Sequence, residues 1–315
     1  GMGVWESRPP PPNSHTPRLP YTRFPHMFGA IDTTISLASN AMATRFELVL
    51  NGNDPTRLRA IGEEALGEVE RLDRRLSFYR PESDISWINA RAAGETVKVE
   101  PRLFRLLILC QNLSLRTDGA FDITIAPLMR AWGFVGGKGR MADPAEVEAA
   151  GRVVGMEHVR LDDENYTVRF DCEGVAIDLG AIGKGYAIER AAGILRENGV
   201  RSGLLHGGTS TVCAIGAQAD GRPWTIGLAD PLSGHVDLQD SSLSISAVHG
   251  KSFAEEGVEF GHVLDPRTGS PIQGAQAAAV IGPSPTICDA LSTAMLVAGK
   301  QALDEFPDYH GIVGG

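Results

Sequence analysis

The stretch VAIDLGAIGKGYAIERAAGILRENG, residues 175–199, decides the fold more than any other part of the chain. Its first residues are apolar except for Asp178 and predict a buried strand that ends at this carboxylate. The glycines of GAIGKG, residues 180–185, predict a tight turn. Helical spacing then predicts a helix over about 184–197, which ends before Gly199 in the position that favours glycine.

The turn at 180–185 has the composition of an anion site. The first turn of a helix offers unpaired N–H groups and the positive end of the helix dipole, and Lys184 adds a full charge there. The pattern differs from a Walker A loop, because the glycines are too close together and Gly185 stands where Ser or Thr would bind magnesium. Taken alone, it fits a tight turn with a solvated lysine better than an anion site.

A second informative segment predicts a helix over about 285–298. Ser284 is a typical N-cap and Pro285 a typical first helical residue. Asp289 and Thr293 are four residues apart and therefore share one helix face. A carboxylate and a hydroxyl one turn apart suit a hard cation such as Mg2+. The alternative is that Asp289 only complements the helix dipole and that Thr293 bonds back to a carbonyl.

The remaining pattern indicates an α+β fold. Alternation predicts a strand at 44–52, and apolar spacing predicts helices at 55–76, 80–90 and 101–116. Residues 158–179 predict strands around an Asp-Asp-Glu-Asn turn. Because strands and helices are interleaved without a clean βαβ period, the sequence favours α+β with one cleft.

Composition excludes several classes of protein. The 315 residues are 43% hydrophobic and 22% charged, as in a globular protein with a sizeable core. A net charge of −10 argues against a nucleic-acid surface. None of the four cysteines forms a CxxC pair, which predicts buried reduced thiols. No run reaches the roughly 18–20 apolar residues of a transmembrane helix.

The beginning of the chain predicts an arm rather than part of the domain. Gly1 ahead of Met2 is typical of a residue left by expression, and the following stretch is rich in proline. No basic start followed by an apolar segment indicates a signal peptide. The predicted organisation is therefore a flexible arm over 1–37 and one domain over 38–315.

Three more places put polar or aromatic groups in suggestive settings. The segment DGAFDIT, residues 118–124, fits either a binding loop or a turn with a capping aspartate. Tyr79 offers a ring that can stack on a flat heterocycle or lie at the rim of the core. His262 begins HVLDPRTG, a predicted strand and proline turn, and is either a base or a structural histidine.

Five segments in this order resemble the ApbE family, the FAD:protein FMN transferases. They are SFYRPESDISWIN, DGAFDITIAPLMRAWGF, IDLGAIGKGYAIERAAGILRENG, FGHVLDPRTGSPI and CDALSTAMLVAG. The resemblance extends from about residue 38 to 312. It implies a compact ApbE-like (T-fold-like) α+β domain with a central flavin cleft.

The resemblance also implies a reaction. With Mg2+, such enzymes transfer the FMN part of FAD to a threonine or serine hydroxyl of an acceptor flavoprotein and release AMP. Two alternatives stay open: a FAD pyrophosphatase that gives FMN to water, and a FAD-binding carrier without turnover.

Site residues follow from the resemblance, position by position. The implied FAD-binding residues are Met42, Tyr79, Ala120, Phe121, Asp122, Asp178, Lys184 and Leu264. The implied metal ligands are the Ala181 carbonyl, Asp289 and Thr293. Lys184 is also expected to stabilise charge during catalysis, and His262 is the expected general base.

The chain departs from the family pattern at two places. It has Gly207-Gly208-Thr209 where the family usually has Gly-Gly-Asp, and Ala247-Val248-His249-Gly250 where the family usually has a Thr-Ser-Gly segment. Many relatives are periplasmic lipoproteins, but the first cysteine here is Cys110 and no lipobox is visible. As it stands, the chain predicts a cytoplasmic protein.

Overall fold

Strands and helices alternate along the chain, and the computed structural model describes residues 33–248, 252–255 and 257–315. The strands are β1 (Thr33–Ala41), β2 (Thr44–Gly52), β3 (Val97–Lys98), β4 (Val159–Asp162), β5 (Thr167–Phe170), β6 (Gly203–Gly207), β7 (Thr211–Ile215), β8 (Trp224–Gly227), β9 (His235–Leu238), β10 (Ser242–Ala247), β11 (Ser252–Glu255), β12 (Val258–Gly261), β13 (Leu264–Asp265), β14 (Ser270–Pro271), β15 (Ala277–Gly282) and β16 (His310–Gly314). The α-helices are α1 (Pro55–Leu76), α2 (Asp84–Arg91), α3 (Pro101–Arg116), α4 (Ala126–Ala131), α5 (Pro144–Gly151), α6 (Gly183–Glu197) and α7 (Pro285–Ala298).

A seven-stranded sheet in the order β1-β2-β6-β7-β10-β15-β16 forms the centre of the domain. Neighbouring strands in it are all antiparallel. Smaller sheets are formed by β3-β5-β4, β8-β9, β11-β12 and β13-β14. The antiparallel sheet with helices on one face confirms the predicted α+β class.

The helices begin where the sequence places their caps. Asp54 accepts the Arg57 N–H at 2.9 Å at the start of α1. Ser284 accepts the Ile287 N–H at 3.2 Å at the start of α7. In both cases proline follows the cap, where its missing N–H leaves no bond unmade. These side chains fix where each helix leaves the preceding loop.

Helices α1, α6 and α7 cover one face of the sheet. Alternate residues of β2, including Phe46, Leu48 and Leu50, are buried against them. The opposite face of the sheet packs against the β8-β9 hairpin through a separate cluster around Trp224 and Leu243. The sheet thus holds α6 and α7 side by side on the same surface.

Two sets of hydrogen bonds, one helical turn apart, hold α6 against α7. The Gly185 N–H donates to Asp289 Oδ2 at 2.9 Å. One turn later, Glu189 Oε2 accepts the Ser284 hydroxyl at 2.6 Å and the Thr286 N–H at 3.2 Å. A Cβ atom on Gly185 would lie 2.7 Å from Asp289 Cβ and closer still to the Pro285 carbonyl oxygen. Glycine therefore stands at 185 because the two helices touch there.

The predicted strand at the start of the 175–199 segment is wrong. Residues 175–179 are extended and mostly buried, but they join no sheet. The side chain of Asn89 pairs instead with both backbone groups of Ile177, at 2.8 and 2.9 Å. The Asp178 N–H donates to the Ile123 carbonyl at 2.7 Å. A side-chain amide and a loop thus replace the neighbouring strand, which periodicity alone does not reveal.

The predicted domain boundary at residue 38 falls inside β1. Strand β1 already begins at Thr33, where it pairs with Gly52 of β2. Ile35 is buried against the helix layer, so residues 33–37 are part of the domain. The rest of the predicted arm, residues 1–32, lies outside the described residues.

All four cysteines are free thiols, as predicted. Cys110, Cys213 and Cys288 are buried, whereas Cys172 is partly exposed. The Sγ of Cys288 faces the Ser242 carbonyl at 3.8 Å. Among the described residues, no helix combines the length and apolar composition that a membrane span needs.

Substitution of Gly185 tests the contact between α6 and α7. We expect Gly185→Ala to lower the free energy of unfolding by about 2 kcal/mol, because the added methyl group overlaps the backbone of α7. Gly193→Ala is the matched control in the same helix, since its Cβ meets nothing within 4 Å. It is expected to raise stability by about 0.5–1 kcal/mol through helix propensity. Urea unfolding of both variants checks the prediction, and equal effects would contradict it.

Candidate active site

A cavity of about 450 Å³ opens where the β1-β2 turn, the end of α1 and the start of α6 meet. Four of the residues predicted from the sequence line it: Met42, Tyr79, Asp178 and Lys184. They come from separate parts of the chain, and the fold brings them together on one cavity.

One end of the cavity is formed by the turn that precedes α6. Asp178 Oδ1 accepts the Gly180 N–H at 2.9 Å and thereby shapes the turn. Gly183 and Lys184, in the first helical turn, line the cavity. The positive end of the helix dipole and the ammonium group of Lys184 therefore lie at the same place. This end of the cavity favours a phosphate group.

The opposite wall is the two-residue turn between β1 and β2. Met42 and Ala43 have φ angles of 49° and 56°, a left-handed conformation that favours Asn or Gly. Asp73 of α1 stabilises this turn, because its Oδ1 accepts the Met42 N–H at 2.8 Å. Its Oδ2 accepts a hydrogen bond from Arg80 Nη2 at 3.1 Å. Asp73 thus connects the turn, α1 and the loop that carries Tyr79.

Tyr79 lies at the rim of the cavity and is 61% exposed. Its ring meets Phe78 edge to face, with centroids 5.4 Å apart. Partial burial raises the pKa of the Tyr79 hydroxyl above its ordinary value, and the nearby charge of Asp178 contributes a smaller effect in the same direction. A large, exposed aromatic face held by a neighbouring ring can stack on a flat heterocycle.

Behind the first turn of α6, hydroxyl groups surround the buried carboxylate of Asp289. Asp289 is 3% exposed. Its Oδ1 lies 3.1 Å from Ser244 Oγ and 3.4 Å from Thr211 Oγ1, while Oδ2 accepts the Gly185 N–H. Thr293 Oγ1, one turn along α7, lies 3.0 Å from Ser246 Oγ. The predicted metal-binding side chains therefore lie in one hydroxyl-rich layer between α7 and β10.

The backbone at the start of α6 adds a further oxygen. Ala181 lies just before the N-cap residue Ile182, so its carbonyl stands outside the helical hydrogen-bond pattern of α6. The Gly185 N–H, in the first turn, has no partner within the helix and donates to Asp289. Carboxylate, hydroxyl and carbonyl oxygens are the donors that Mg2+ prefers, so the residues present fit this cation.

The metal site predicted from the resemblance needs only one carboxylate. Within the described residues, no group of three or more His, Cys, Asp or Glu side chains converges on one point. A zinc-type site of clustered His and Cys ligands therefore has no counterpart in this part of the chain.

Ala120, Phe121 and Asp122 lie in the core beside the cavity rather than on its lining. The side chains of Ala120 and Phe121 are 1% exposed. Asp122 accepts hydrogen bonds from Ser114 Oγ at 3.0 Å, from the Thr124 N–H at 2.8 Å and from the Met156 N–H at 3.0 Å. Burial raises the pKa of Asp122, and the bonds from Thr124 oppose this effect. The segment approaches the cavity at its end, where the Ile123 carbonyl accepts the Asp178 N–H.

His262 and Leu264, the remaining predicted site residues, lie at an aromatic cluster. Leu264 is buried with Trp132 and Phe134, and the His262 ring meets Phe134 edge to face at 6.5 Å. The same hairpin approaches the segment before Ala120, since a Cβ on Gly119 would lie 3.5 Å from Arg267 Cγ. His262 and Leu264 are therefore not among the residues that line the cavity.

Sequence reasoning missed Asp73 and the serines of β10. Asp73 falls in the polar pattern of a long helix, where nothing distinguishes it from a solvated residue. The signal for β10 was present: Ser242, Ser244 and Ser246 alternate on the face turned to the helix layer, where apolar residues are expected. Polar residues at core positions of a strand indicate a buried polar cluster.

Comparisons of this sequence with known proteins all point to one family. The model of the ApbE family matches residues 42–312. The FAD:protein FMN transferase of Salmonella typhimurium is 26% identical over 289 residues, which cover 88% of this chain and 82% of that protein. The FAD:protein FMN transferase of Rhodobacter capsulatus is 32% identical over 218 residues, which cover 67% of this chain and 41% of that protein.

Solved structures agree with these sequence matches. A crystal structure of the ApbE protein from Thermotoga maritima superposes with a TM-score of 0.82 at 30% identity, covering 90% of this chain and 96% of that one. The apo form of the Pseudomonas stutzeri flavinyl transferase ApbE gives a TM-score of 0.78, also at 30% identity, with 87% of each chain covered.

Asp122 provides a test of the arrangement beside the cavity. We expect Asp122→Ala to lower the free energy of unfolding by about 3 kcal/mol, because several buried donors lose their acceptor at once. Asp163→Ala, at an exposed position in the β4-β5 turn, is the control and should change stability by less than about 0.5 kcal/mol. Urea unfolding followed by circular dichroism measures both, and a mild effect at Asp122 would show that these donors find other partners.

Proposed function

Because the chain belongs to the ApbE family, we propose that it transfers FMN from FAD to a threonine or serine hydroxyl of a target flavoprotein. The reaction requires Mg2+ and releases AMP. The relatives and structures that share this fold are named as transferases of this type, which supports the assignment.

The observation that carries the proposal is the bond from Gly185 to Asp289. This one contact joins the first turn of α6, which lines the cavity with Lys184, to the carboxylate on α7. Phosphate-binding and cation-binding groups thus meet across a single helical turn, as a reaction at a pyrophosphate requires.

FAD is proposed to lie along the cavity with its flavin at the rim. Tyr79 would stack on the isoalloxazine ring, and Met42 would contact it from the β1-β2 turn. Asp178 and Lys184 would hold the nucleotide side. The segment Ala120–Asp122 and Leu264 would contribute backbone contacts, in keeping with their buried side chains.

The chemistry is a substitution at phosphorus. The acceptor oxygen forms a bond to the phosphorus of the FMN half, the bond to the AMP phosphate breaks, and the hydroxyl proton passes to a base. Lys184 stabilises the charge that develops on the phosphate oxygens and on AMP. When bound by Asp289, Thr293 and the Ala181 carbonyl, Mg2+ would supply further positive charge to these oxygens.

His262 is the proposed general base. It lies two residues before β13, whose hairpin with β14 contacts Gly119 in the segment before Ala120. An imidazole titrates close to neutral pH and can accept the hydroxyl proton when the acceptor lies between it and the phosphate.

The departures from the family pattern bear on catalytic competence and on the choice of acceptor. Thr209, where the family usually has Asp, is exposed on the turn between β6 and β7. Ala247 and Val248 end β10, while His249 and Gly250 lie outside the described residues. Asp178, Lys184 and the predicted metal ligands are retained, which favours an enzyme over a carrier.

Release of AMP from FAD tests the reaction and the role of Asp289. With Mg2+ and an acceptor flavoprotein, we expect the chain to release AMP and to label the acceptor with FMN. Asp289→Asn keeps the shape and one acceptor oxygen but removes the charge, so turnover should fall at least ~100-fold. The measurement is chromatographic detection of AMP together with in-gel flavin fluorescence.

Asp308→Ala, which removes an exposed carboxylate, is the control for Asp289→Asn and should retain full turnover. AMP release that is equally fast without the acceptor would establish the pyrophosphatase instead. If the chain binds FAD but releases AMP neither with nor without the acceptor, it is a FAD-binding carrier. Full activity of Asp289→Asn would show that the metal assignment is wrong.

The base is tested separately from binding. His262→Ala should lower kcat about 10²–10⁴-fold while the affinity for FAD stays within a factor of about two, because the imidazole acts on the acceptor proton. His310→Ala, at an exposed position of β16, is the matched control. Steady-state kinetics and flavin fluorescence titration measure the two quantities, and an unchanged kcat would remove His262 from the mechanism.

A further inference from the structure

We propose that Ser246 is a positioning residue that fixes the direction of the Thr293 hydroxyl, so that the lone pairs of this oxygen face the cation. The inference rests on the proposed function, because it concerns the same metal site. It adds a residue of β10 that has no role in the residue pattern carried over from the family.

Hydrogen-bond accounting in this cluster gives the direction of each hydroxyl. The Ser292 hydroxyl donates to the backbone carbonyl of Asp289 at 2.9 Å, which uses its single hydrogen. Ser246 Oγ lies 2.8 Å from Ser292 Oγ, so Ser246 must be the donor in that pair. Having given its hydrogen to Ser292, Ser246 can only accept in its 3.0 Å contact with Thr293 Oγ1. Thr293 is therefore the donor to Ser246.

This direction is the one that a metal-binding hydroxyl needs. A neutral hydroxyl binds a cation through a lone pair, and its hydrogen must point elsewhere. Groups that accept such hydrogens and orient the ligands contribute strongly to metal affinity. Ser246 receives the Thr293 hydrogen on the side of β10, which leaves the lone pairs of Thr293 Oγ1 free to turn away from the strand.

The alternative foreseen for Thr293 was a bond back to its own helix. The hydrogen-bond partner that the structure gives Thr293 Oγ1, among the described residues, is Ser246 and not a helical carbonyl. The carbonyl of Asp289, four residues earlier, already receives the Ser292 hydroxyl. Thr293 thus points its hydrogen to the neighbouring strand.

The spacing of strand and helix extends this arrangement to Asp289. Two residues along a strand span about 6.8 Å, and four residues along a helix span about 6 Å. Ser244 and Ser246 of β10 are therefore in step with Asp289 and Thr293 of α7. Ser244 Oγ lies 3.1 Å from Asp289 Oδ1, and Ser246 Oγ meets Thr293. Each of the two proposed side-chain ligands is therefore within hydrogen-bond distance of one serine of β10.

Metal affinity, measured apart from turnover, tests the role of Ser246. We expect Ser246→Ala to weaken Mn2+ binding to the FAD complex about 10-fold, because Thr293 loses the acceptor for its hydrogen. Electron paramagnetic resonance of free Mn2+ during titration gives the dissociation constant. The affinity for FAD without metal should stay unchanged, since Ser246 does not line the cavity.

Two further variants separate a positioning role from a structural one. Ser242→Ala removes a buried hydroxyl from the same face of β10, away from Asp289 and Thr293, and should leave the Mn2+ affinity unchanged. Ser246→Thr keeps a hydroxyl at the position and should restore most of the affinity. The melting temperatures without metal should agree within a few degrees among the variants.

The results distinguish this inference from the proposal on which it rests. If the wild type binds Mn2+ and Ser246→Ala binds it equally well, the role of Ser246 is overturned and the metal site stands. If Ser242→Ala weakens binding as much as Ser246→Ala, the effect is structural and the inference also fails. If the wild type does not bind Mn2+ with FAD present, the metal site and the role of Ser246 both fall.

Discussion

The close approach of α6 and α7 at Gly185 is the constraint on which the rest of the structure depends. A side chain at this position would collide with the backbone of α7, so the contact exists only because the residue is glycine. The contact gives Asp289 a backbone donor at the first turn of α6. Through that bond the cavity, the helix dipole, Lys184 and the buried carboxylate become parts of one site. Glu189 repeats the tie one turn later and sets the angle between the helices.

The other wall of the cavity is held by a carboxylate of a different kind. Asp73 accepts hydrogen bonds from a left-handed turn and from Arg80, so its two oxygens organise the backbone and a side chain at once. Asp289 is buried among hydroxyls, whereas Asp73 lies at the edge of solvent. One carboxylate joins two helices, and the other shapes the turn beside the cavity.

Much of the fold could be predicted because local signals agree with it. Helices α1 and α7 have caps and prolines, and α6 has apolar spacing with a glycine after its last turn; these signals locate their ends within one or two residues. Residues 175–179 failed because Asn89, far away in the sequence, replaces a neighbouring strand. For the site, the resemblance named Met42, Tyr79, Asp178 and Lys184, and the structure places all four on one cavity. Asp73 acts through hydrogen bonds to other residues, and such a role leaves no trace in residue type or spacing. The serines of β10 did leave a trace, because they alternate on the face of the strand where apolar residues are expected.

Cys288, next to Asp289 in the chain, would give the proposed metal site a chemical selectivity. Its sulfur faces the Ser242 carbonyl, and burial raises the pKa of the thiol, so it stays protonated. A protonated thiol is a poor ligand for copper or zinc, which prefer thiolate and imidazole. The groups that surround Asp289 are hydroxyls and a backbone amide. The Mg2+ proposed for this layer would thus meet hard oxygen donors, and the buried sulfur would not favour a transition metal over it.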